Sequence, residues 1–154
     1  MSFIFLKFLH VALMFMGAAF AIGPAALLYQ LARSGDPAAI GRTFKLAERV
    51  FQISTACYGL GIVVGVVGAL VGTLDLTASW LITAYVLVGV LGAHGILFDR
   101  WTKRVALSFG SGGADEPDRL ERLRRDRAPL YLLGAMAILV VAIVYVMVTK
   151  VSLF

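Results

Sequence analysis

Apolar residues run along the chain in four long blocks, separated by stretches where charged and small polar residues gather. The blocks lack the alternating stripes of a soluble core, and each reaches the ~20 residues that a helix needs to cross a bilayer. The pattern predicts helices over about 3–31, 50–72, 79–98 and 129–149. The expected class is therefore all-α, a four-transmembrane-helix bundle forming one domain over 1–154.

Charge alternates sharply between the connections. The first carries Arg33, Arg42, Lys45 and Arg49 against Asp36 and Glu48, and the second has Asp75 but no lysine or arginine. The third, from Asp99 to Ala128, holds eight basic residues. The positive-inside rule places connections 33–49 and 99–128 in the cytoplasm, which gives an N-out, C-out topology. Asp36-Pro37 reads as an N-cap with proline at the first helical position, so the second helix is expected to begin in the cytoplasm. In the third connection, Trp101 to Phe109 mixes apolar and basic residues and is expected to lie at the membrane surface. A flexible Gly110-Ser111-Gly112-Gly113 then leads to a second helix start at Glu116-Pro117. Asp118–Arg122 and Glu121–Arg125 are spaced i, i+4 with the acid first, the favourable order. Leu120 and Leu123 share a face suited to a docking partner.

Composition adds weight to the membrane reading: 60% of the 154 residues are hydrophobic and only 15% are charged, with a mean hydropathy of +0.91. A soluble domain of this size needs more charge to cover its surface. The net charge of +5 does not signal nucleic acid, because nearly all basic residues sit in the two topogenic connections. Cys57 is the single cysteine, which excludes an intramolecular disulfide and any multi-cysteine metal site. Ala19-Phe20-Ala21 resembles a signal-peptidase site, but nothing basic precedes Lys7 and the apolar block runs on to Leu31. The first block is expected to be a retained membrane helix.

Lipid tails are as apolar as leucine, so membrane helices associate by close packing of small residues. Gly61, Gly65, Gly68 and Gly72 line nearly one face of the second span, with Gly17, Ala21 and Ala25 at matching spacing on the first. Gly89, Gly92 and Ala93 offer a comparable packing face on the third, while Phe3, Phe8 and Phe15 are expected to face lipid or a partner. Pro24 interrupts the hydrogen bonding of the first span and should bend it.

Polar groups inside a membrane are costly and mark functional candidates. Lys7 and His10 are i, i+3 neighbours, and Met14 is i+4 from His10. Deeper toward the basic end lie Tyr29, Gln30, Gln52, Ser54, Thr55, Cys57, Tyr58, His94 and Asp99. Two histidines in a small bundle suggest a haem with a ligand on each face. However, His10 is seven residues and His94 fifteen residues from the same end of parallel helices, a depth difference of roughly 12 Å. A single-histidine haem at His10 and a soft copper site of His10 with Met14 and Met147 remain as alternatives to a structural histidine bonded to a group such as Tyr145. There is no Ser-His-Asp set, no phosphate-cradling glycine loop and no pair of intramembrane carboxylates.

The opening Leu6-Lys7-Phe8-Leu9-His10 and the closing Met147-Val148-Thr149-Lys150 resemble a bacterial family of four-helix membrane proteins known as a domain of unknown function. The Leu-Lys-x-Leu-His opening is also similar to that of the CopD copper-resistance family and of the HemJ-type protoporphyrinogen oxidases, which bind haem b. That resemblance implies His10 as a haem or metal ligand and Lys7 as its functional neighbour. The chain departs from those relatives at Gly17, where they commonly carry tryptophan, and at Ala25 and Tyr29-Gln30, where the oxidases carry arginine and a Tyr-His pair.

These features together point to a non-catalytic multi-pass bundle of the bacterial inner membrane, an accessory or scaffold subunit packing against other membrane proteins or itself. The alternative is a haem b- or copper-binding redox protein that uses His10.

Overall fold

The computed structural model describes residues 2–34, 36–110 and 116–150. It contains five helices, α1 (Phe3–Ser34), α2 (Pro37–Val71), α3 (Ser79–Gly110), α4 (Glu116–Arg125) and α5 (Ala128–Thr149), and no strand among the described residues. Four of the helical segments are long and apolar enough to cross a membrane. Their outward side chains are large and apolar, with Ile4, Phe15 and Val148 each about three-quarters exposed. A soluble protein rarely tolerates so continuous an apolar exterior; lipid tails favour it. The chain is a multi-pass membrane protein.

Helix α2 starts where the Asp36 carboxylate accepts a hydrogen bond from the Ala39 N–H at 3.0 Å, with Pro37 next in line. It ends at Gly72, and the turn to α3 is built on Asp75, whose carboxylate accepts from both the N–H and the hydroxyl of Thr77. Those two bonds hold the exposed Asp75 carboxyl below the usual aspartate range. Helix α1 is continuous through Pro24, beside the fully buried Ala25.

In the bundle α2 lies between α1 and α3, and α5 packs mainly on α3 and more lightly on α1. Helices α1 and α3 therefore occupy a diagonal. The core near the basic end is aromatic: the Phe44 and Phe98 rings each lie 5.4 Å from Trp101, and Phe51 lies 5.6 Å from Phe98.

That aromatic cluster explains a departure from the expected boundaries. Helix α3 does not stop at Phe98; it continues through Trp101 to Phe109 and ends at Gly110. Phe98 and Trp101 are buried against Phe51 and Phe44 of α2, and Val105 is buried one turn on, so three further turns gain apolar contacts by continuing as helix. Helix α4 begins at Glu116, as the proline signal suggests, and its Asp118–Arg122 and Glu121–Arg125 pairs close at 3.4 and 2.7 Å. Residues 111–113 of the expected flexible linker lie outside the described residues.

Leu123 is buried and Leu120 partly so, both within this chain's own core, so this apolar face of α4 is covered by the bundle and not left for a partner. Two polar ties hold it there. Arg119 donates to the Ser108 carbonyl at 2.9 Å, and the Trp101 indole N–H donates to Asp126 at 2.9 Å.

Candidate functional site

The seam between α1 and α2 carries the histidine singled out by the sequence. Gly61, Gly65 and Gly68 of α2, with Gly72 that caps it, form its floor, because each lacks a side chain where a residue of α1 arrives. A Cβ at Gly72 would stand 2.5 Å from the Phe3 ring, one at Gly65 2.7 Å from His10 Nδ1, and one at Gly61 2.9 Å from Met14 Sδ. At Gly68 it would stand 3.4 Å from Leu6, an ordinary contact. Gly17 reciprocates from α1: its missing side chain admits the Tyr58 ring, 3.1 Å from where a Cβ would be. The register is antiparallel, with residues 3 to 17 of α1 descending along residues 72 to 58 of α2.

His10 is half-buried in this seam, and its Nδ1 lies 2.7 Å from the Gly61 carbonyl. A carbonyl only accepts, so Nδ1 carries the proton and donates it, which leaves Nε2 as the lone-pair nitrogen. Nε2 has no hydrogen bond among the described residues. The expected link from His10 to Tyr145 is absent: Tyr145 is mostly exposed, and the ring bonds to α2 instead. Phe3 also departs from expectation, its ring lying over Gly72, whereas Phe8 and Phe15 do face outward. Lys7 is exposed, off the seam, and makes no ion pair among the described residues.

A histidine that donates Nδ1–H to a backbone carbonyl is oriented as metal-ligating histidines commonly are. His10 thus keeps one ring nitrogen, Nε2, without a hydrogen bond among the described residues, and Met14 lies one turn away on the same helix. His10 has no histidine opposite. His94 sits on the diagonal helix α3, where its Nδ1–H donates to the Val90 carbonyl one turn back at 2.9 Å. Among the described residues no three His, Cys, Asp or Glu side chains gather to hold a metal.

The remaining polar residues separate into three groups. Tyr29 stays at the basic end, where its hydroxyl accepts from Arg33. Ser54 is buried in the α1–α2 seam, and its hydroxyl donates to the Gly17 carbonyl at 2.8 Å. That bond is not legible in the sequence, since its acceptor is a backbone atom of a distant helix. Gln52, Thr55, Tyr58 and Asp99 line the space between α2 and α3. On α3, Gly89, Gly92 and Ala93 do not serve as the internal packing face expected of them. All three are exposed, and a Cβ at either glycine would meet nothing within 4 Å. Comparison of the chain with protein-family models, with curated proteins and with solved structures finds no match.

Proposed function

We propose that the chain is a non-catalytic, multi-pass bundle of the bacterial inner membrane, an accessory or scaffold subunit that packs against other membrane proteins or a second copy of itself. The supporting observation is the outer face of α3. Gly89 and Ala93 stand one turn apart and exposed, with open space above Gly89. Small residues at this spacing let a neighbouring helix approach closely, which is how membrane helices gain contact energy. Gently solubilised protein is expected to run as a particle larger than one chain, and Gly89→Leu is expected to shift it toward the single-chain mass. A solitary wild-type chain overturns the reading.

The basic ends of α1, α2 and α3, together with α4, would face the cytoplasm, and the Asp75 turn would lie outside. The charge asymmetry of the connections supports this orientation. In a Cys57→Ser background, a cysteine placed at Asp75 is expected to react with an impermeant thiol reagent from outside. One at Gly112 is expected to react only from the cytoplasmic side; the opposite pattern sinks the orientation.

A second reading, a haem b- or copper-binding redox protein, is favoured by one observation: the unpartnered Nε2 of an imidazole already oriented through Nδ1. His10 would ligate and Lys7 would offer a nearby positive charge, while Met14 would complete a softer site for copper. On the leading reading, protein made with haem and copper available shows neither a Soret band nor bound copper. A Soret band lost in His10→Ala but kept in His94→Ala would establish the second reading instead.

A further inference from the structure

At the basic end of the bundle, α3 and α4 face each other across a pocket of about 450 Å³, within the size range of small-molecule sites. From α3 come Trp101, Arg104 and Val105; α4 opposes them with Arg119, Arg122 and Leu123. The three- and four-residue spacings put each set on one face of its helix. Trp101, Val105 and Leu123 are buried and give the pocket an apolar floor. Arg119 is half-buried, and Arg104 and Arg122 are exposed.

The charges there do not cancel. Asp126 is the one carboxylate among the described lining residues. Both its oxygens already accept, one from the Trp101 indole N–H and the other from the Ala128 backbone N–H. Arg119 donates to the Ser108 carbonyl, a neutral partner that fixes its guanidinium without neutralising it, and most of its donors stay free. The Arg104 side chain makes no ion pair or hydrogen bond among the described residues. Arg122 is held loosely, by Asp118 at 3.4 Å with both side chains mostly exposed. The tighter Glu121–Arg125 pair closes outside the pocket. An apolar floor keeps water from one side of the guanidiniums, so an anion is attracted more strongly here than to an open helix.

Depth identifies the anion. The pocket stands at the edge of the apolar blocks: Asp126, bonded to Trp101, comes two residues before α5 begins, and Pro129 is already fully buried. Arg104 lies three residues beyond Trp101, and Arg122 four before Asp126. Both therefore stand roughly 5 Å above that level along their helices. The headgroup layer is about 5–7 Å thick on each side of the hydrocarbon, so these arginines meet lipid phosphates. Basic pockets between helices at this level are suited to anionic headgroups. A zwitterionic headgroup would bring an ammonium beside guanidiniums that already lack counterions.

We infer that the α3–α4 pocket binds the phosphodiester headgroup of an anionic phospholipid, with Arg104 and Arg119 as its main partners. This site does not rest on the partner reading of the outer α3 face, because a solitary chain contains every residue that lines it.

Full-length protein in non-ionic detergent, titrated with dioctanoyl phosphatidylglycerol and observed by native mass spectrometry, is expected to retain the lipid saturably. Dioctanoyl phosphatidylcholine is expected to bind several-fold more weakly. Arg104→Gln removes a side chain that makes no polar contact, so helical content should be unchanged. It is expected to raise the half-saturating concentration about fivefold, the factor for one basic residue at a lipid surface. Arg104→Glu is expected to abolish saturable retention. Arg49→Gln removes the same charge from an exposed position of α2 outside the pocket and should leave retention nearly unchanged. Inorganic phosphate in excess should fail to displace the lipid, since it lacks the glycerol and chains that hold a headgroup at this depth. Equal retention of the two lipids, or equal losses in Arg49→Gln and Arg104→Gln, would overturn the site, because either reports charge spread over the whole basic end. Displacement by phosphate would overturn the lipid as its occupant.

Discussion

Phe44→Ala is expected to lower the thermal unfolding midpoint in detergent by roughly 10 °C. Phe44 is fully buried, and its ring meets Trp101 at 5.4 Å, which in turn meets Phe98 at the same distance. Truncating a buried phenylalanine typically costs ~3–5 kcal/mol, because the transfer free energy of the ring is lost and a cavity remains. The cavity at this position has little means of collapse. Phe98 and Ile40 are themselves fully buried, and Trp101 is held by its bond to Asp126. This cluster also sits where the bundle leaves the apolar blocks for the charged connections, so water competes directly for the exposed surface. Leu46→Ala, on the same helix but mostly exposed, serves as the control and should change little. Equal midpoints for the two variants by circular dichroism would show that the aromatic cluster is not the core of the basic end.

Gly65→Leu is expected to lower the midpoint by about 5–10 °C. A Cβ at Gly65 would stand 2.7 Å from His10 Nδ1 and 2.8 Å from Cε1, closer than side chains tolerate. The obstacle is not the loose end of a flexible chain. The imidazole is anchored by its 2.7 Å bond to the Gly61 carbonyl, so accommodating leucine means breaking that bond or parting the helices. Overpacking costs ~1–3 kcal/mol, and losing the hydrogen bond adds ~1 kcal/mol. Gly72 is tighter in bare distance, but the Phe3 ring above it belongs to the first helical residue and has freedom to swing. Gly134→Leu, where a Cβ meets nothing within 4 Å, should be nearly neutral. If Gly65→Leu and Gly134→Leu melt together, the glycine seam is not what holds α1 to α2.

The four membrane helices are legible in the sequence because spanning is a property of one segment at a time. Length, mean apolarity and the position of charge are sums over neighbouring residues, and a block such as 129–149 carries all three within itself. The Asp36-Pro37 and Glu116-Pro117 starts are legible for the same reason, since a cap acts on the first turn that follows it. The glycines of the second span also announce a close approach. They do not announce what approaches. Nothing local distinguishes Gly65, which seats His10, from Gly89, which faces outward, because both are small residues in apolar helices.

The extension of α3 shows the same division. Arg100, Lys103 and Arg104 mark the end of an apolar block, and hydropathy alone stops the helix there. The packing of Trp101 on Phe44, some sixty residues earlier, and the burial of Val105 favour its continuation to Gly110. His10 and Tyr58 depend on tertiary structure still more. The imidazole finds its partner 51 residues away, and the phenol becomes an orphan because the helices packed around it bring no acceptor to its hydroxyl. Crossing a bilayer is decided by the chain's own apolarity, segment by segment. Which side chain fills which notch is decided by the fit of distant surfaces, and no sum over neighbouring residues contains that fit.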